Sequence, residues 1–278
     1  MPALDRVIDD ALAEDVGHGD LTTDAIVPAG LRGTAAVVVR EPGVVCGLDA
    51  AFAAVRRLDH GAAMERLVED GALVEQAPVA VARFEASLRA LLTAERTALN
   101  LVQRMSGIAT ATRRYVEAVG GTGVEVLDTR KTAPGLRDLD KAAVACGGGT
   151  NHRRGLDDAV LIKDNHLAVA GSVAAAVELV RREHPGRPVE VEADTVEQLE
   201  QALAAGAEVV LLDNMAPEML RRAVRITNGR ARLEASGGIT IETIREVAET
   251  GVDAISVGAL THSVRALDIA MEVTPSAP

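Results

Sequence analysis

From residue 108 onward, short apolar runs alternate with amphipathic helical segments, and this alternation constrains the fold more than any other feature. The predicted strands are Val124–Asp128, Ala159–Lys163, Val189–Glu192, Val209–Asp213, Arg232–Ser236 and Ala254–Gly258. The last four end at residues 192, 213, 236 and 258, so that successive strand ends are 21, 23 and 22 residues apart. Such β–α repetition requires a parallel sheet. Because no Rossmann glycine fingerprint follows the first strand, the pattern favours an α/β barrel of fewer than eight strands, with an open doubly wound sheet as the alternative.

The first 107 residues show a mixed pattern of helices and strands. Apolar residues at helical spacing predict helices at Leu4–Glu14, Leu48–Leu58 and Ser87–Met105, the last of which ends before Gly107. Turn signals separate predicted strands at Thr34–Arg40, Arg66–Glu69 and Val79–Phe84. Residues 266–273 alternate weakly between apolar and polar side chains, which predicts a strand that rejoins this region. We therefore expect one domain at 1–107, a second at 108–263, and a segment 264–278 that returns to the first.

Composition excludes several classes of function. The chain carries 29 Lys and Arg against 41 Asp and Glu, a net charge of −12, and a general nucleic-acid binder needs clustered cations instead. Two cysteines, Cys46 and Cys146, are too few and too far apart in sequence to indicate a disulfide framework or a metal cluster. No apolar run approaches the roughly 20 residues of a membrane span, and the N-terminus lacks a signal-peptide core. The sequence thus predicts a cytoplasmic protein with neither nucleic acid nor membrane as a partner.

Polar residues follow the predicted strands where each strand ends, which is where α/β barrels place their active sites. One set is cationic, and because converging cations need anions to neutralise them, it predicts a ligand with several negative charges. Its members are Arg130, Lys131, His152, Arg153 and Lys163. Lys141 lies in a helical run and is expected to be a surface charge. Gly147–Gly149 is predicted to be a flexible connector that presents His152 and Arg153.

A second set is anionic and a third is rich in glycine. Glu192 and Asp213 end adjacent predicted strands, and two carboxylates beside a phosphate ligand suit Mg²⁺; alternatively, one carboxylate pairs with Lys163 or Arg153. Two late strands are followed by segments whose exposed backbone amides suit a phosphate, namely Ser236-Gly237-Gly238 and Val257-Gly258-Ala259.

Several longer motifs resemble one enzyme family, the quinolinate phosphoribosyltransferases, which are carboxylating nicotinate-nucleotide pyrophosphorylases. The similarity runs nearly end to end and is most specific at GGGTNHRRGLDDAVLIKDNH (147–166). Other matching segments are EDVGHGDLTTDAIVP (14–28), TAERTALNLVQRMSGIAT (93–110), DTRKTAPGLR (128–137), VEVEAD (189–194), LLDN (211–214), EASGGI (234–239) and VGALTHS (257–263). The resemblance implies an α/β fold in which an N-terminal α/β sandwich domain accompanies an incomplete, about six-stranded parallel α/β barrel.

The resemblance also implies a reaction, a cofactor and an assembly. The family joins quinolinate to phosphoribosyl pyrophosphate with Mg²⁺ and releases nicotinate mononucleotide, pyrophosphate and CO₂, as an entry to NAD. It works as a homodimer, which would place Arg96 in the partner's site. By the same resemblance, Lys163, Glu192 and Asp213 are catalytic, with Glu192 and Asp213 also near Mg²⁺. The implied substrate-binding residues are Arg96, Thr129, Arg130, Lys131, His152, Arg153, Lys163, Ser236, Gly237, Gly238, Val257, Gly258 and Ala259.

Two other enzymatic interpretations remain open at this point. A phosphoribosyltransferase of the same fold with a different anionic ring substrate would share the phosphate-binding segments and differ among the cations. A phosphate-binding barrel lyase or isomerase would need a general acid–base pair, for which Lys163 and Glu192 are candidates. A metabolite-binding barrel without catalytic activity is the third alternative.

Overall fold

The computed structural model describes residues 2–276. Its strands are β1 Arg32–Val39, β2 Gly43–Val44, β3 Ala63–Arg66, β4 Leu73–Val74, β5 Val79–Ser87, β6 Glu125–Leu127, β7 Val160–Ile162, β8 Val189–Ala193, β9 Val209–Asp213, β10 Arg232–Ser236, β11 Ala254–Ser256 and β12 Ile269–Pro275. Its helices are α1 Pro2–Val16, α2 Leu21–Ile26, α3 Leu48–Leu58, α4 Leu88–Ala118, α5 Arg137–Cys146, α6 Asp164–Ala170, α7 Val173–Glu183, α8 Val196–Ala204, α9 Pro217–Thr227, α10 Ile244–Ala248 and α11 Ala259–His262. None of the described helices is long and apolar enough to cross a membrane.

The chain divides into two compact units. Unit 1 comprises residues 1–113, 132–148 and 263–278, and unit 2 comprises 114–131 and 149–262. This division differs from the predicted one at α5, which was expected in the second domain. In unit 1, the guanidinium of Arg104 on α4 donates two hydrogen bonds of 2.8 Å to the fully buried carboxylate of Asp140 on α5. Lys141, the next residue of α5, is only 5% exposed, so its prediction as a surface charge is wrong.

Unit 1 contains a four-stranded antiparallel sheet in the order β12-β1-β5-β3. The C-terminal strand β12 pairs with β1, with Ile269 opposite Val39. Alternate side chains of β1 face the core, where Val37 and Val39 are buried with Phe84 of β5. Burial of such branched and aromatic side chains is the dominant stabilising contribution to a domain of this size.

Helix α4 does not end before Gly107, as the sequence pattern predicted, but continues to Ala118. Gly107 is needed here for space rather than for helix termination. A Cβ atom at this position would collide with the carbonyl oxygen of Arg265 and lie 3.1 Å from the Cα of Ala266. The local pattern could not distinguish these two uses of glycine, because the partner backbone lies more than 150 residues away in sequence.

Unit 2 contains a six-stranded parallel sheet in the order β6-β11-β10-β9-β8-β7. Within the described residues, the edge strands β6 and β7 do not pair with each other, so the barrel is incomplete, as the resemblance implied. On β8, Val189, Val191 and Ala193 are fully buried. Because side chains alternate along a strand, Glu190 and Glu192 between them point to the opposite face. This two-residue period aligns the polar side chains of neighbouring strands in the barrel interior.

Candidate functional site

A cavity of about 400 Å³ lies within unit 2 at the carboxyl ends of the parallel strands. Polar side chains dominate its wall, and only Leu161 and Leu211 are apolar. The lining consists of Thr129, Arg130, Lys131, His152, Arg153, Leu161, Lys163, Glu192, Leu211, Asp213, Glu234, Ser236 and Ser256. All five predicted cations, both predicted carboxylates and Ser236 therefore meet in one cavity.

Two guanidinium groups in this cavity lie close enough to repel each other. Burial and the neighbouring charge of Arg130 together lower the pKa of Arg153. Its guanidinium is held by a hydrogen bond of 3.2 Å from Nη1 to the carbonyl oxygen of Ala159. Since arginine remains charged near neutral pH, this repulsion is best relieved by an anion that binds both groups.

His152 is positioned by its backbone as well as by its ring. Its amide donates a hydrogen bond of 2.9 Å to the fully buried carboxylate of Asp128, directly after β6. A parallel bridge between Leu127 and Thr150 fixes the same segment against the sheet. The preceding Gly147 is also constrained, since a Cβ atom there would lie 2.6 Å from Cβ of Thr112. At Gly147, close packing takes the place of the flexibility that the sequence predicted for the connector.

The ring of His152 sits between two buried carboxylates that sequence analysis missed. Its Nε2 lies 3.3 Å from Glu190 and 3.4 Å from Glu234, which are 7% and 3% exposed. Burial alone would lower the pKa of His152, but hydrogen bonds to the two carboxylates and their charge outweigh it and raise the pKa to about 10. The amide of Arg153 donates a hydrogen bond of 2.7 Å to Nδ1, which requires that nitrogen to be unprotonated. Formation of the imidazolium therefore breaks this one hydrogen bond.

A usable signal for these two carboxylates was present in the sequence. Glu190 and Glu234 each lie two residues before a predicted site residue, Glu192 and Ser236, on the same strand. Residues at this spacing share one face of a strand. A charged residue inside a buried parallel strand is therefore as informative as one at the strand's end.

Lys163 and Glu192 form an ion pair, with 2.7 Å between Nζ and Oε2. The structure therefore contains the pairing that the sequence left as an alternative to metal binding by Glu192. The amide of Lys163 donates a hydrogen bond of 2.9 Å to Nδ1 of His166, which fixes the turn into α6.

Three carboxylates at the cavity rim fit a divalent cation. Oxygen atoms of Glu192, Asp194 and Asp213 lie within 4.8 Å of one another. Such a set of hard oxygen donors suits Mg²⁺, which typically takes one or two carboxylates together with substrate phosphates. Asp194 was not predicted, and it follows β8 by one residue.

The first glycine-rich segment is shaped by the loop next to it. Asn214 follows β9 with a φ of +53°, donates from its side chain to Asp213 at 2.7 Å, and donates from its backbone to Ser236 at 2.9 Å. Gly237 has a φ of +100°, and a Cβ there would clash with the side chain of Asn214. Only glycine fits this approach of two loops.

The remaining predicted residues lie outside the described lining of the cavity, namely Gly237, Gly238, Val257, Gly258, Ala259 and Arg96. Gly258 is adjacent to it, since a Cβ there would lie 3.1 Å from Cδ of Lys131. Val257 is buried, and its amide bonds the carbonyl oxygen of Leu127. Arg96 is exposed on α4 of unit 1.

Taken together, an incomplete parallel barrel with a cation-lined cavity at its strand ends defines a class of protein that binds small polyanions there. The comparisons with known proteins narrow this class. The family model described as quinolinate phosphoribosyl transferase, N-terminal domain, matches residues 20–106, and the corresponding C-terminal domain model matches residues 108–272. The chain belongs to the quinolinate phosphoribosyltransferase family.

Individual relatives are similar to this chain over nearly its full length. A nicotinate-nucleotide pyrophosphorylase [carboxylating] of Mycobacterium leprae is 49% identical, with 95% of this chain and 94% of the relative covered. A probable enzyme of the same name from Bacillus subtilis is 42% identical, with 98% and 94% covered. The solved structure of the nicotinate-nucleotide pyrophosphorylase from Francisella tularensis has a TM-score of 0.94 at 40% identity, with 98% of this chain and 96% of that chain covered.

Proposed function

We propose that this protein transfers the phosphoribosyl group of phosphoribosyl pyrophosphate to quinolinate with loss of CO₂, forming nicotinate mononucleotide and pyrophosphate in the cytoplasm. The observation that carries the proposal is the meeting of Arg130, His152 and Arg153 in one cavity, beside Lys131 and Lys163. Quinolinate presents two carboxylates, and paired guanidinium groups with an imidazolium are suited to binding them.

The family's chemistry assigns simple tasks to this chain's residues. Arg130, His152 and Arg153 hold the ring carboxylates and so direct the ring nitrogen toward ribose C1. Lys131 and Lys163 neutralise charge that develops as pyrophosphate leaves C1. Bond formation at nitrogen turns the ring into a pyridinium, whose positive charge stabilises the electron pair left on the adjacent ring carbon when its carboxylate departs as CO₂. A proton from solvent then binds that carbon in place of the carboxylate. No residue of the chain needs to form a covalent bond in this sequence.

The glycine-rich segments supply the phosphate contacts in this proposal. The loops at Ser236–Gly238 and Val257–Ala259 bind the 5′-phosphate through the backbone amides of Gly237, Gly238, Gly258 and Ala259, since the amide of Val257 is bonded to Leu127. Ser236 is the member of these loops that lines the cavity. Glu192 and Asp213 hold the ribose hydroxyls from the neighbouring strands β8 and β9.

We also propose that Glu192, Asp213 and Asp194 hold Mg²⁺ together with the substrate's pyrophosphate. When bound, the ion supplies positive charge to the leaving group. Charge balance in the cavity supports this proposal. With His152 protonated, five cations face the five carboxylates of Glu190, Glu192, Asp194, Asp213 and Glu234, so the site alone cannot neutralise two polyanionic substrates. Asp213→Asn is expected to raise the Mg²⁺ concentration needed for half-maximal rate, and an unchanged Mg²⁺ requirement would contradict the assignment.

Homodimer formation is a further part of the proposal. Leu156 and Val169 of unit 2 are 74% and 90% exposed, and Leu21 and Ile26 of unit 1 are 88% and 74% exposed. Large apolar side chains this exposed support an interface with a second copy. In such a dimer, Arg96 supplies a cation to the partner's cavity.

Complementation tests whether Arg96 acts in the partner's site. Arg96→Ala and Lys163→Ala are each expected to be nearly inactive, but subunit exchange between them creates heterodimers with one intact site. Random exchange makes half of the dimers mixed, so activity should recover to about a quarter of the wild-type value. Failure to recover, with exchange verified by differently tagged chains, would contradict an intersubunit role.

The substrate assignment is tested by supplying quinolinate or nicotinate with phosphoribosyl pyrophosphate and Mg²⁺ and measuring nucleotide and CO₂. Quinolinate should yield both products in equal amounts. Turnover of nicotinate alone would show a related transferase with another ring substrate, and binding without turnover would show a metabolite-binding barrel.

A further inference from the structure

The two cysteines of the chain lie together in unit 1, although 99 residues separate them in sequence. The Sγ atoms of Cys46 and Cys146 and a carboxylate oxygen of Asp70 all lie within 4.8 Å of one another. Both cysteines are present as thiols, Cys46 buried and Cys146 partly accessible. We propose that Cys46 and Cys146 form a reversible dithiol–disulfide site, at which small-molecule disulfides oxidise the pair.

The backbone on the Cys46 side is fixed from two directions. The hydroxyl of the fully buried Ser106 on α4 accepts a hydrogen bond of 2.9 Å from the amide of Cys46. The same hydroxyl donates a hydrogen bond of 3.1 Å to the carbonyl oxygen of Cys46. The next residue, Gly47, has a φ of +97° and donates its amide to Asp70 at 2.8 Å. The backbone at Cys46 is therefore held in place, and its thiol hydrogen-bonds the thiol of Cys146.

The backbone at Cys146, at the end of α5, is fixed by hydrogen bonds as well. Gly147, which caps this helix, donates its amide to the carbonyl of Ala143 at 3.0 Å and accepts from Nε of Arg113 at 3.2 Å. The thiol of Cys146 lies 3.8 Å from the carbonyl oxygen of Val45, the residue next to Cys46. A disulfide requires a sulfur separation of about 2 Å, so the two sulfurs must approach each other by side-chain rotation.

The surrounding charges divide the roles between the two thiols. A hydrogen bond from Cys46, with help from the positive charge of Arg113, lowers the pKa of Cys146 against the effects of burial and of Asp70. The hydrogen bond to Cys146, burial and the negative charge of both neighbours raise the pKa of Cys46. Because the thiolate is the nucleophile, the accessible Cys146 reacts first and the buried Cys46 second.

The chemical steps balance with a small disulfide, RSSR, as the oxidant. The Cys146 thiolate attacks one sulfur of RSSR, forming a mixed disulfide and expelling RS⁻. The sulfur of Cys46 then attacks Sγ of Cys146, its proton passes to solvent or a thiolate, and a second RS⁻ leaves. The net reaction converts two protein thiols and RSSR into one protein disulfide and two RSH.

The experiment uses the full-length protein with oxidised glutathione, followed by mass spectrometry without reduction. We expect the wild-type protein to lose two hydrogens, to yield a linked peptide pair containing Cys46 and Cys146, and to return to its original mass with dithiothreitol. A stable mixed disulfide at Cys146, linked dimers on a non-reducing gel, or two unreacted thiols would each overturn the proposal. Bound zinc that protects both thiols until it is removed by a chelator would also overturn it, in favour of a metal site with Asp70.

Two variants separate the proposed roles. Cys46→Ser should retain a glutathionyl group on Cys146, because the resolving thiol is gone. Cys146→Ser should react at least about tenfold more slowly than Cys46→Ser, since its remaining thiol is buried and has a raised pKa. Equal reaction rates in the two variants would contradict the order of attack. If a variant fails to fold, the linked wild-type peptide still decides whether the disulfide forms.

Discussion

The pairing of His152 with Glu190 and Glu234 makes a quantitative prediction about the proposed quinolinate site. A carboxylate 3.4 Å from an imidazolium attracts it by about 5 kcal/mol at an effective dielectric constant of about 20, before the cost of burial is subtracted. Together the two carboxylates overcome burial and raise the pKa of His152 to about 10. Glu234→Gln removes one of the charges and keeps the shape of the side chain. A single nearby opposite charge typically shifts a pKa by 1–3, so we expect that of His152 to fall to about 8.

The assay follows the ring nitrogens of His152 by NMR during a pH titration, with His152→Gln used to assign the signal. Glu190→Gln is the matched variant and should have a similar effect, since its carboxylate is 3.3 Å from the same nitrogen. Substitution of the exposed Glu125 by Gln is a control that should leave the pKa near 10. In parallel, kcat/KM for quinolinate should begin to fall at lower pH in Glu234→Gln than in the wild type, because only the imidazolium attracts a carboxylate. A wild-type pKa near 6.5, or one that does not respond to Glu234→Gln, would refute the reasoning.

Three further predictions concern other parts of the molecule. Lys163→Ala should lower kcat by more than about tenfold if Nζ stabilises charge in the transition state, and wild-type turnover measured under saturating substrates would contradict that role. Gly107→Ala should destabilise unit 1 by about 1–3 kcal/mol in urea unfolding, because the methyl group meets the backbone of Arg265; a slight stabilisation, as helix propensity alone would give, would contradict this packing. The raised pKa of His152 stabilises the folded state fully below the pKa of the unfolded chain, about 6.5, and this stabilisation is lost as the pH rises through about 10. Urea unfolding should therefore show the contribution at pH 6 and its loss at pH 10. In Glu234→Gln the loss should be complete near pH 8.

The sequence predicted the barrel well because its signal is local. Each strand of unit 2 is a short apolar run between helices, and β9 and β10 have the predicted bounds. Unit 1 was less predictable. Its strand β3 runs from Ala63 to Arg66, where the prediction began at Arg66, because pairing with β5 rather than local pattern sets its position.

The residues at the strand ends of the site were predicted from the sequence, whereas the two carboxylates inside the strands were missed although their spacing carried a signal. Residues at or directly after the ends of strands, such as Asp213 and Lys163, are marked in the sequence by a change from apolar to charged. Glu190 and Glu234 lie inside strands, where a charge looks like an exception to the apolar pattern. Their role depends on His152, which arrives from a different segment, and only the fold brings the three together.

The proximity of Cys46 and Cys146 was also invisible in the sequence. Cys46 precedes α3 and Cys146 ends α5, and their local sequences contain no metal or redox spacing. What unites them is the packing of α4, whose Ser106 holds the backbone of Cys46 and whose Arg113 holds the end of α5. Contacts supplied by a third element leave no trace in the spacing of the two residues they join. Cysteine pairs of this kind must therefore be sought in the folded chain, where the distance between the sulfur atoms shows whether two cysteines can react with each other.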